Sequence, residues 1–97
     1  MSHLEFEWSP AKAASNVKKH GVSFEEARTV FEDEEALLIA DPDHPVGEER
    51  FILLGVSAAL RMLVVMHCER GRDVIRIISA RKADRTERAA YISRRSR

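Results

Sequence analysis

Three apolar runs decide the fold of this chain: RFILLGV at residues 50–56, MLVVMHCE at 62–69 and VIRIISA at 74–80. Each has the length of a strand and is rich in the branched apolar residues that strands favour. Short turns over Ser57–Leu60 and Arg70–Asp73 join them, so an antiparallel meander is the simplest pairing. Because the first two runs are nearly apolar on both faces, we expect helices on one face. Either a helix folded back or a protein partner should cover part of the other.

Upstream of the meander, a strand and two helices are predicted. Leu4–Trp8 alternates apolar and polar residues, as a half-buried strand does. Ser9-Pro10 supplies an N-cap and a first helical residue for a helix over 11–20, which Gly21 closes. Ser23-Phe24-Glu25-Glu26 is a capping box that opens a second helix, to about Glu32. The residues expected to face the core are Ala14 and Val17 of the first helix and Phe24, Ala27, Val30 and Phe31 of the second.

The remaining elements complete an α+β domain. A short strand is predicted over 36–40, followed by the proline-containing loop Asp41–Gly47. Asp84-Arg85-Thr86-Glu87 resembles a capping box and begins a final helix, through about Ser93. The length of 97 residues suits one domain. We therefore expect residues 1–97 to form an antiparallel sheet of about four to five strands, with two N-terminal helices and one C-terminal helix packed on it.

The net charge is zero, but the two parts of the chain are oppositely charged. Residues 1–60 carry five basic and twelve acidic side chains, a net of −7. Residues 61–97 carry eleven basic side chains, ten of them arginine, and four acidic ones, a net of +7. Arginine matches phosphate oxygens in a bidentate way, so the basic part indicates a polyanion partner, nucleic acid first. The alternative is that the two parts neutralise each other in the fold.

Composition excludes several classes of protein. A hydrophobic content of 44% is too high for a disordered chain. No apolar run approaches the roughly 20 residues of a membrane helix, and the N-terminus lacks the features of a signal peptide, so we expect a cytoplasmic protein. The single cysteine, Cys68, excludes an internal disulfide and a cysteine-built zinc site. The histidines show no metal-ligand spacing, so neither a metal nor another cofactor is expected.

Histidines are the first candidates for proton transfer. His20 follows Lys19 at the end of the first helix. There it either stabilises the helix terminus through the dipole or exchanges protons beside a phosphodiester. His44 lies in the loop before the meander, either as a binding group or as an exposed turn residue. His67 is in the middle of a strand, where the alternation favours a core histidine.

Basic residues of the second part are the candidate phosphate ligands. Arg76 lies inside an apolar strand, so it must be paired, with Glu49 or Glu69 across the sheet, or line a site. The other cations follow the last strand, where the sheet leads into the final helix. If the side chains of these cations lie close together, they would bind a phosphate backbone. If the side chains are dispersed, they would form a solvated basic face. They are Arg81, Lys82, Arg85 and Arg88.

RNA cleavage requires only these residue types. Because the ribose 2′-hydroxyl is a built-in nucleophile, the protein has to take one proton, give one and stabilise a charged phosphorane. Histidine, glutamate, lysine and arginine suffice for this without a metal. This set of residue types is unspecific by itself, since most small basic proteins contain all four.

A set of segments covering nearly the whole chain resembles one known family. KHGVSF at 19–24 and RIISAR at 76–81 are the most specific. The family is that of the BrnT-like toxins of bacterial type II toxin–antitoxin systems. The matching segments, in order, are Phe6–Lys12, Asn16–Ala27, Asp41–His44, Glu48–Phe51 and Arg76–Ala83, followed by Glu87, Arg88 and Tyr91.

The resemblance implies a RelE-like fold and a metal-independent endoribonuclease that blocks growth by lowering translation. It also implies a cognate ribbon-helix-helix antitoxin, with promoter DNA bound only through that antitoxin, and it allows a homodimer or a 2:2 complex. In this interpretation the proton-transfer candidates are Lys19, His20, His44 and Glu49. Arg50 or Arg81 stabilises the transition-state charge. The RNA phosphates contact the basic patch of Arg76, Arg81, Lys82, Arg85 and Arg88.

The sequence departs from the family pattern at two positions. Ser9 stands where the family usually has aspartate, and Pro45 stands where serine follows the histidine. The rival hypothesis is a non-catalytic module, or a degenerate toxin, that binds nucleic acid or a protein partner and cuts nothing.

Overall fold

The computed structural model describes residues 4–43 and 47–95. None of the helices in these ranges is long and apolar enough to cross a bilayer. The predicted α+β architecture is confirmed, with a 3-10 turn over Val30–Glu32 extending the second helix. The elements are β1 (Glu5–Glu7), α1 (Pro10–His20), α2 (Phe24–Thr29), β2 (Leu37–Ala40), β3 (Arg50–Val56), β4 (Met62–Glu69), β5 (Val74–Lys82) and α3 (Arg85–Arg95).

The five strands form one sheet in the order β1-β5-β4-β3-β2. The antiparallel meander of β3, β4 and β5 is confirmed, and β2 adds antiparallel to β3. β1 joins the other edge parallel to β5, with Phe6 level with Ile75. Because β1 and β5 are far apart in the chain, no tight turn forces this pair to be antiparallel. Ile78 is an extra residue in β5, between the partners of Met66 and His67.

The helices α1 and α2 pack on the face of the sheet that carries Leu63, Val65 and Ile77, here called the front face. Phe24, Ala27 and Val30 are fully buried there, as predicted, and Phe31 is half-buried. Phe6 contacts Phe31 edge to face, with ring centroids 5.1 Å apart. The main core therefore lies between the two N-terminal helices and the sheet.

The prediction for the inner side of α1 is wrong. Ala14 and Val17 are exposed, while Ala13 is half-buried and Asn16 is buried against the sheet. The amide of Asn16 makes three hydrogen bonds to backbone groups, which offset the cost of burying it. Because asparagine is polar, a hydrophobic pattern does not identify the side of α1 that carries Asn16 as the buried side.

The predicted helix ends are confirmed. Ser9 Oγ accepts from the Lys12 amide at 3.3 Å, and Ser23 Oγ accepts from the Glu26 amide at 3.0 Å. Gly21 ends α1 with a φ of 69°, which glycine adopts without strain. These caps place α2 directly after α1.

The helix α3 folds back onto the opposite face of the sheet, here called the back face. Tyr91 packs there against Leu54 and Val64. Of the two alternatives predicted for covering the second face, a helix folded back is thus the one observed. Arg50 and Arg76 lie on the back face beyond α3, with side chains 22% and 33% exposed.

Candidate functional site

The end of α1 is attached to the end of β5. The Asn16 side-chain nitrogen donates to the carbonyl oxygens of Ala80 (2.8 Å) and Val22 (2.9 Å), and its oxygen accepts from the Ala80 amide (3.1 Å). The last turn of α1, with Lys19 and His20, consequently lies near the point where β5 leads into α3.

Arg61, in the turn between β3 and β4, holds the same end of the molecule together. Its guanidinium donates to both Glu26 carboxylate oxygens, at 2.9 Å through Nε, and to the Gly21 carbonyl at 3.1 Å. The Ser57 hydroxyl donates to Glu26 at 2.6 Å. The Arg61 hydrogen bond is the main reason that the pKa of Glu26 is lowered, and Glu26 in turn raises the pKa of Arg61.

A shallow hollow of about 300 Å³ opens beside this network. Three of its lining side chains are cationic and none is acidic, so it suits an anionic group. Lys82 and Arg88 were predicted as phosphate ligands, whereas Arg61 was not. The lining residues are Leu60, Arg61, Met62, Lys82, Ala83 and Arg88. With Lys19 and His20 of the neighbouring helix end, the cations Arg61, Lys82 and Arg88 are here called the basic end.

Arg81 borders the basic end on the back face. Its guanidinium forms two hydrogen bonds to the Glu87 carboxylate, at 2.9 and 2.8 Å, and lowers the pKa of Glu87. The Asp84 and Glu87 side chains each accept from the other's amide at 2.8 Å, which confirms the predicted capping box. Arg85, the first residue of α3, is exposed. Arg81 is thus positioned by the start of α3.

A second group of predicted residues lies at the other end of the sheet. Arg50 and Arg76 are both level with Cys68 on the back face. Arg76 donates to Glu7 at 3.0 Å, so the predicted partners Glu49 and Glu69 are wrong. The parallel pairing of β1 with β5 places Glu7 directly beside Arg76. No local pattern in the sequence indicates this pairing.

Arg50 is also held by carboxylates. Its Nε lies 3.9 Å from Asp41 and 3.7 Å from Glu48, and it is buried without a hydrogen bond. Glu49, by contrast, lines a surface hollow of about 460 Å³ together with Glu48, Glu69 and Arg70. Carboxylates dominate that hollow, so it is less suited to a phosphate chain than the basic end.

The predicted site residues therefore form two groups and not one. Lys82 is level with Leu63, and Arg50 is level with Cys68, so the groups are separated along β4 by about 17 Å at 3.3 Å per residue. Lys19, His20, Arg81, Lys82, Arg85 and Arg88 belong to one end, and Glu49, Arg50 and Arg76 to the other. His44 and Pro45 lie outside the described residues.

His67 is a core histidine, as predicted. It is 2% exposed, and its ring centroid lies 4.8 Å from that of Phe31. Burial lowers its pKa. In the described ranges, no group of three histidine, cysteine or carboxylate side chains is arranged to hold a metal ion.

Comparison with known proteins assigns the family. The model of BrnT, the ribonuclease toxin of type II toxin–antitoxin systems, matches residues 8–87. The chain belongs to the BrnT family. Membership makes it a toxin-type ribonuclease whose expected counterparts are an RNA target and an antitoxin.

The BrnT fold is also seen in a solved relative. The 1.1 Å crystal structure of the Brucella abortus ribonuclease toxin BrnT matches with a TM-score of 0.64 and 21% identity. The match covers 84% of this chain and 99% of that one, and it shows a shared fold. No curated protein matches the chain.

Sequence reasoning missed three residues that organise the two ends. Asn16 and Arg61 connect α1 to the sheet, and Glu7 pairs with Arg76. Asn16 carried a usable signal, because a lone amide two turns into a short capped helix is a candidate for backbone hydrogen bonds. Arg61 and Glu7 had no such signal, since their partners are distant in sequence.

Proposed function

We propose that this BrnT family member is a metal-independent endoribonuclease that binds RNA at its basic end. The observation that carries the proposal is the hollow lined by Arg61, Lys82 and Arg88, which has no acidic lining residue among those described. Within the described ranges, Lys82 and Arg88 form no ion pair within 4 Å. Their charges therefore remain available for phosphate oxygens.

Cleavage proceeds by attack of the ribose 2′-oxygen on the adjacent phosphorus, which forms a 2′,3′-cyclic phosphate as the bond from phosphorus to the 5′-oxygen breaks. The 2′-hydroxyl loses one proton and the 5′-oxygen gains one, and water serves the transfer that the protein side chain does not. His20 takes the proton from the nucleophile or gives one to the leaving oxygen, since an imidazole nitrogen can either accept or donate a proton. Lys19 is the alternative proton-transfer group. Lys82 and Arg88 stabilise the charged phosphorane, and this electrostatic contribution requires only that the cations be already in place.

Arg61 positions the site instead of reacting in it. Its guanidinium is committed to Glu26 and Gly21, so it fixes the end of α1 relative to the start of β4. Arg85, the exposed first residue of α3, extends the basic surface along the RNA chain. Arg81, whose guanidinium is committed to Glu87, positions the start of that helix. Glu49, Arg50 and Arg76 lie at the other end of the sheet and take no part in the proposed cleavage.

The proposed biological role follows from the family. A cognate ribbon-helix-helix antitoxin binds the toxin, blocks the access of RNA and carries the complex to promoter DNA. The antitoxin takes no part in the chemistry itself. Released toxin cleaves RNA in the cytoplasm and lowers translation. A homodimer or a 2:2 complex with the antitoxin is the proposed assembly.

The test is cleavage of a defined RNA by the purified full chain in EDTA. We expect cleavage to persist in EDTA and to fall about 100-fold in His20→Ala, which removes a general acid or base. Lys82→Ala should lower it about tenfold, because one stabilising cation is removed. Arg72→Ala, an exposed cation in the distant β4–β5 turn, should not change it. Loss of activity in EDTA with recovery on adding Mg²⁺, or full activity of His20→Ala, would overturn the mechanism.

One observation favours the rival, non-catalytic function. Arg61 and Arg76 of the basic part face Glu26 and Glu7 of the acidic part, as expected if the oppositely charged parts neutralise each other. In that case the parent chain would bind RNA or the antitoxin and leave RNA intact under all of these conditions.

A further inference from the structure

The outer edge of β2 is an open edge of the sheet. β2 is the last strand in the sheet order, and no strand of the described ranges lies beyond it. Leu38 is 58% exposed and Ile39 is 50% exposed. Because Leu38 pairs with Leu53 and Ile39 with Ile52, one points to the front face and the other to the back face. Soluble proteins normally protect such an apolar edge.

The backbone of β2 also has hydrogen-bonding groups directed outward. The Asp41 amide donates to the Arg50 carbonyl at 2.8 Å, so Asp41 and, by alternation, Ile39 face β3. In an antiparallel pair the intervening residues face away. Leu38 and Ala40 therefore present their N–H and C=O groups to an incoming strand.

The charges around β2 select the incoming strand. Glu34 and Glu35 precede β2 and Asp43 follows it, and all three are exposed. A second copy of this chain would place like charges together whether the two β2 strands paired parallel or antiparallel, which is unfavourable. A strand with an apolar centre and a basic residue at each end is complementary in either direction.

A groove beside the edge offers room for the side chains of that strand. It has a volume of about 640 Å³ and lies between Leu37 of β2 and Ala90, Ser93 and Arg94 of α3. Ile92, on the same helix, is 53% exposed. A strand added to β2 would direct alternate side chains over this groove on the back face.

We infer that an extended segment of the antitoxin, apolar at its centre and flanked by lysine or arginine, adds to β2 and enlarges the five-stranded sheet. The inference rests on the proposed antitoxin partner. This mode of binding uses main-chain hydrogen bonds for affinity and alternate side chains for specificity.

The experiment measures binding of the full chain to the purified product of the reading frame adjacent to its gene. Leu38→Lys removes an apolar contact and places a positive charge close to the basic ends of the incoming strand. Ala40→Pro removes the outward-facing N–H group of residue 40 and leaves the hydrogen bonds to β3 intact. Each substitution should raise the Kd of the complex about tenfold or more. Val17→Lys is the matched control, because Val17 is similarly exposed, at 48%, but lies on α1.

Amide hydrogen exchange provides a measurement that needs no variant. The Leu38 and Ala40 amides of the parent chain should exchange more slowly in the complex than in the free chain. Unchanged exchange at both amides, or unchanged affinity of both folded variants, overturns docking at this edge. A chain that is dimeric alone and becomes monomeric in Leu38→Lys shows that the edge binds a second copy instead.

The experiment distinguishes the proposed antitoxin partner from the proposed addition of its strand to β2. Absence of any complex between the parent chain and the neighbouring product overturns the antitoxin partner itself. RNA cleavage by isolated Leu38→Lys and Ala40→Pro should equal that of the parent, because neither residue lies at the basic end. A complex insensitive to both substitutions overturns only the docking of a strand on β2.

Discussion

The Tyr91 hydroxyl donates a 2.7 Å hydrogen bond to Oδ2 of Asp33, which lies 58 residues earlier in the chain. The same oxygen accepts from the Val56 amide at 2.8 Å. Tyr91 is 3% exposed and packs against Leu54 and Val64. One side chain thus joins α3 both to the apolar cluster on the back face and to the segment before β2.

Tyr91→Phe should destabilise the fold by about 1–2 kcal/mol, because it removes a buried hydrogen bond to a carboxylate and leaves the ring packing in place. Urea unfolding measures the change as a lower midpoint at an unchanged slope. Ser93→Ala, on the exposed side of the same helix, is the control. Equal midpoints for Tyr91→Phe and the parent would contradict a stabilising role for the hydrogen bond to Asp33.

Asn16→Asp should destabilise the protein at pH 7 by about 3 kcal/mol or more, since a carboxylate cannot donate to the Ala80 and Val22 carbonyls and is repelled by them. The buried carboxyl would be protonated more readily in the folded state than in the unfolded state. Its penalty should therefore shrink as the pH falls towards 5, as measured by urea unfolding at each pH. Ser15→Asp, on the exposed side of α1, should show no such recovery.

Burial of His67 predicts a loss of stability in mild acid. Its folded-state pKa lies below the ordinary value of 6.5, so the unfolded chain takes up a proton first as the pH falls below 6.5. The stabilisation that comes from keeping His67 neutral is complete above pH 6.5. As the pH falls from there to the folded-state pKa, the free energy of unfolding decreases. Unfolding free energies at pH 7.5 and 5.5 should differ less in His67→Gln than in the parent, and an equal difference in the two proteins would contradict this role of His67.

Lys82→Ala should reduce the salt dependence of RNA binding. Removing one phosphate contact makes the slope of log K against log salt shallower by about 0.7 for a single strand. Fluorescence anisotropy with a 2′-O-methyl RNA, which cannot be cleaved, measures the slope. Arg72→Ala should leave it unchanged, and an unchanged slope in Lys82→Ala would remove this lysine from the interface.

Sequence patterns that involve neighbouring residues were sufficient to predict most of the fold. The caps at Ser9, Gly21 and Ser23 and the antiparallel meander over 50–80 were predicted, since each depends on neighbouring residues. The core side of α1 was not, because a buried Asn16 interrupts the hydrophobic pattern that such a prediction uses.

The candidate site was predicted only by residue type. Lys82 and Arg88 share the hollow at the basic end, but Arg50 and Arg76 belong to a separate group. The sequence showed no sign that Arg61 would contact Glu26 and the Gly21 carbonyl, since these residues lie 35 and 40 positions away.

The sequence by itself determined the strands, the helix ends, the family and the supply of cations in the second part of the chain. These properties are carried by side-chain periodicity, capping and composition, which act over a few residues. Tertiary structure alone decided which carboxylate each arginine meets, which cations share a hollow and which strand edge stays open. Those outcomes depend on the register between strands and on the parallel addition of β1, where main-chain hydrogen bonds and burial bring together groups that are distant in sequence.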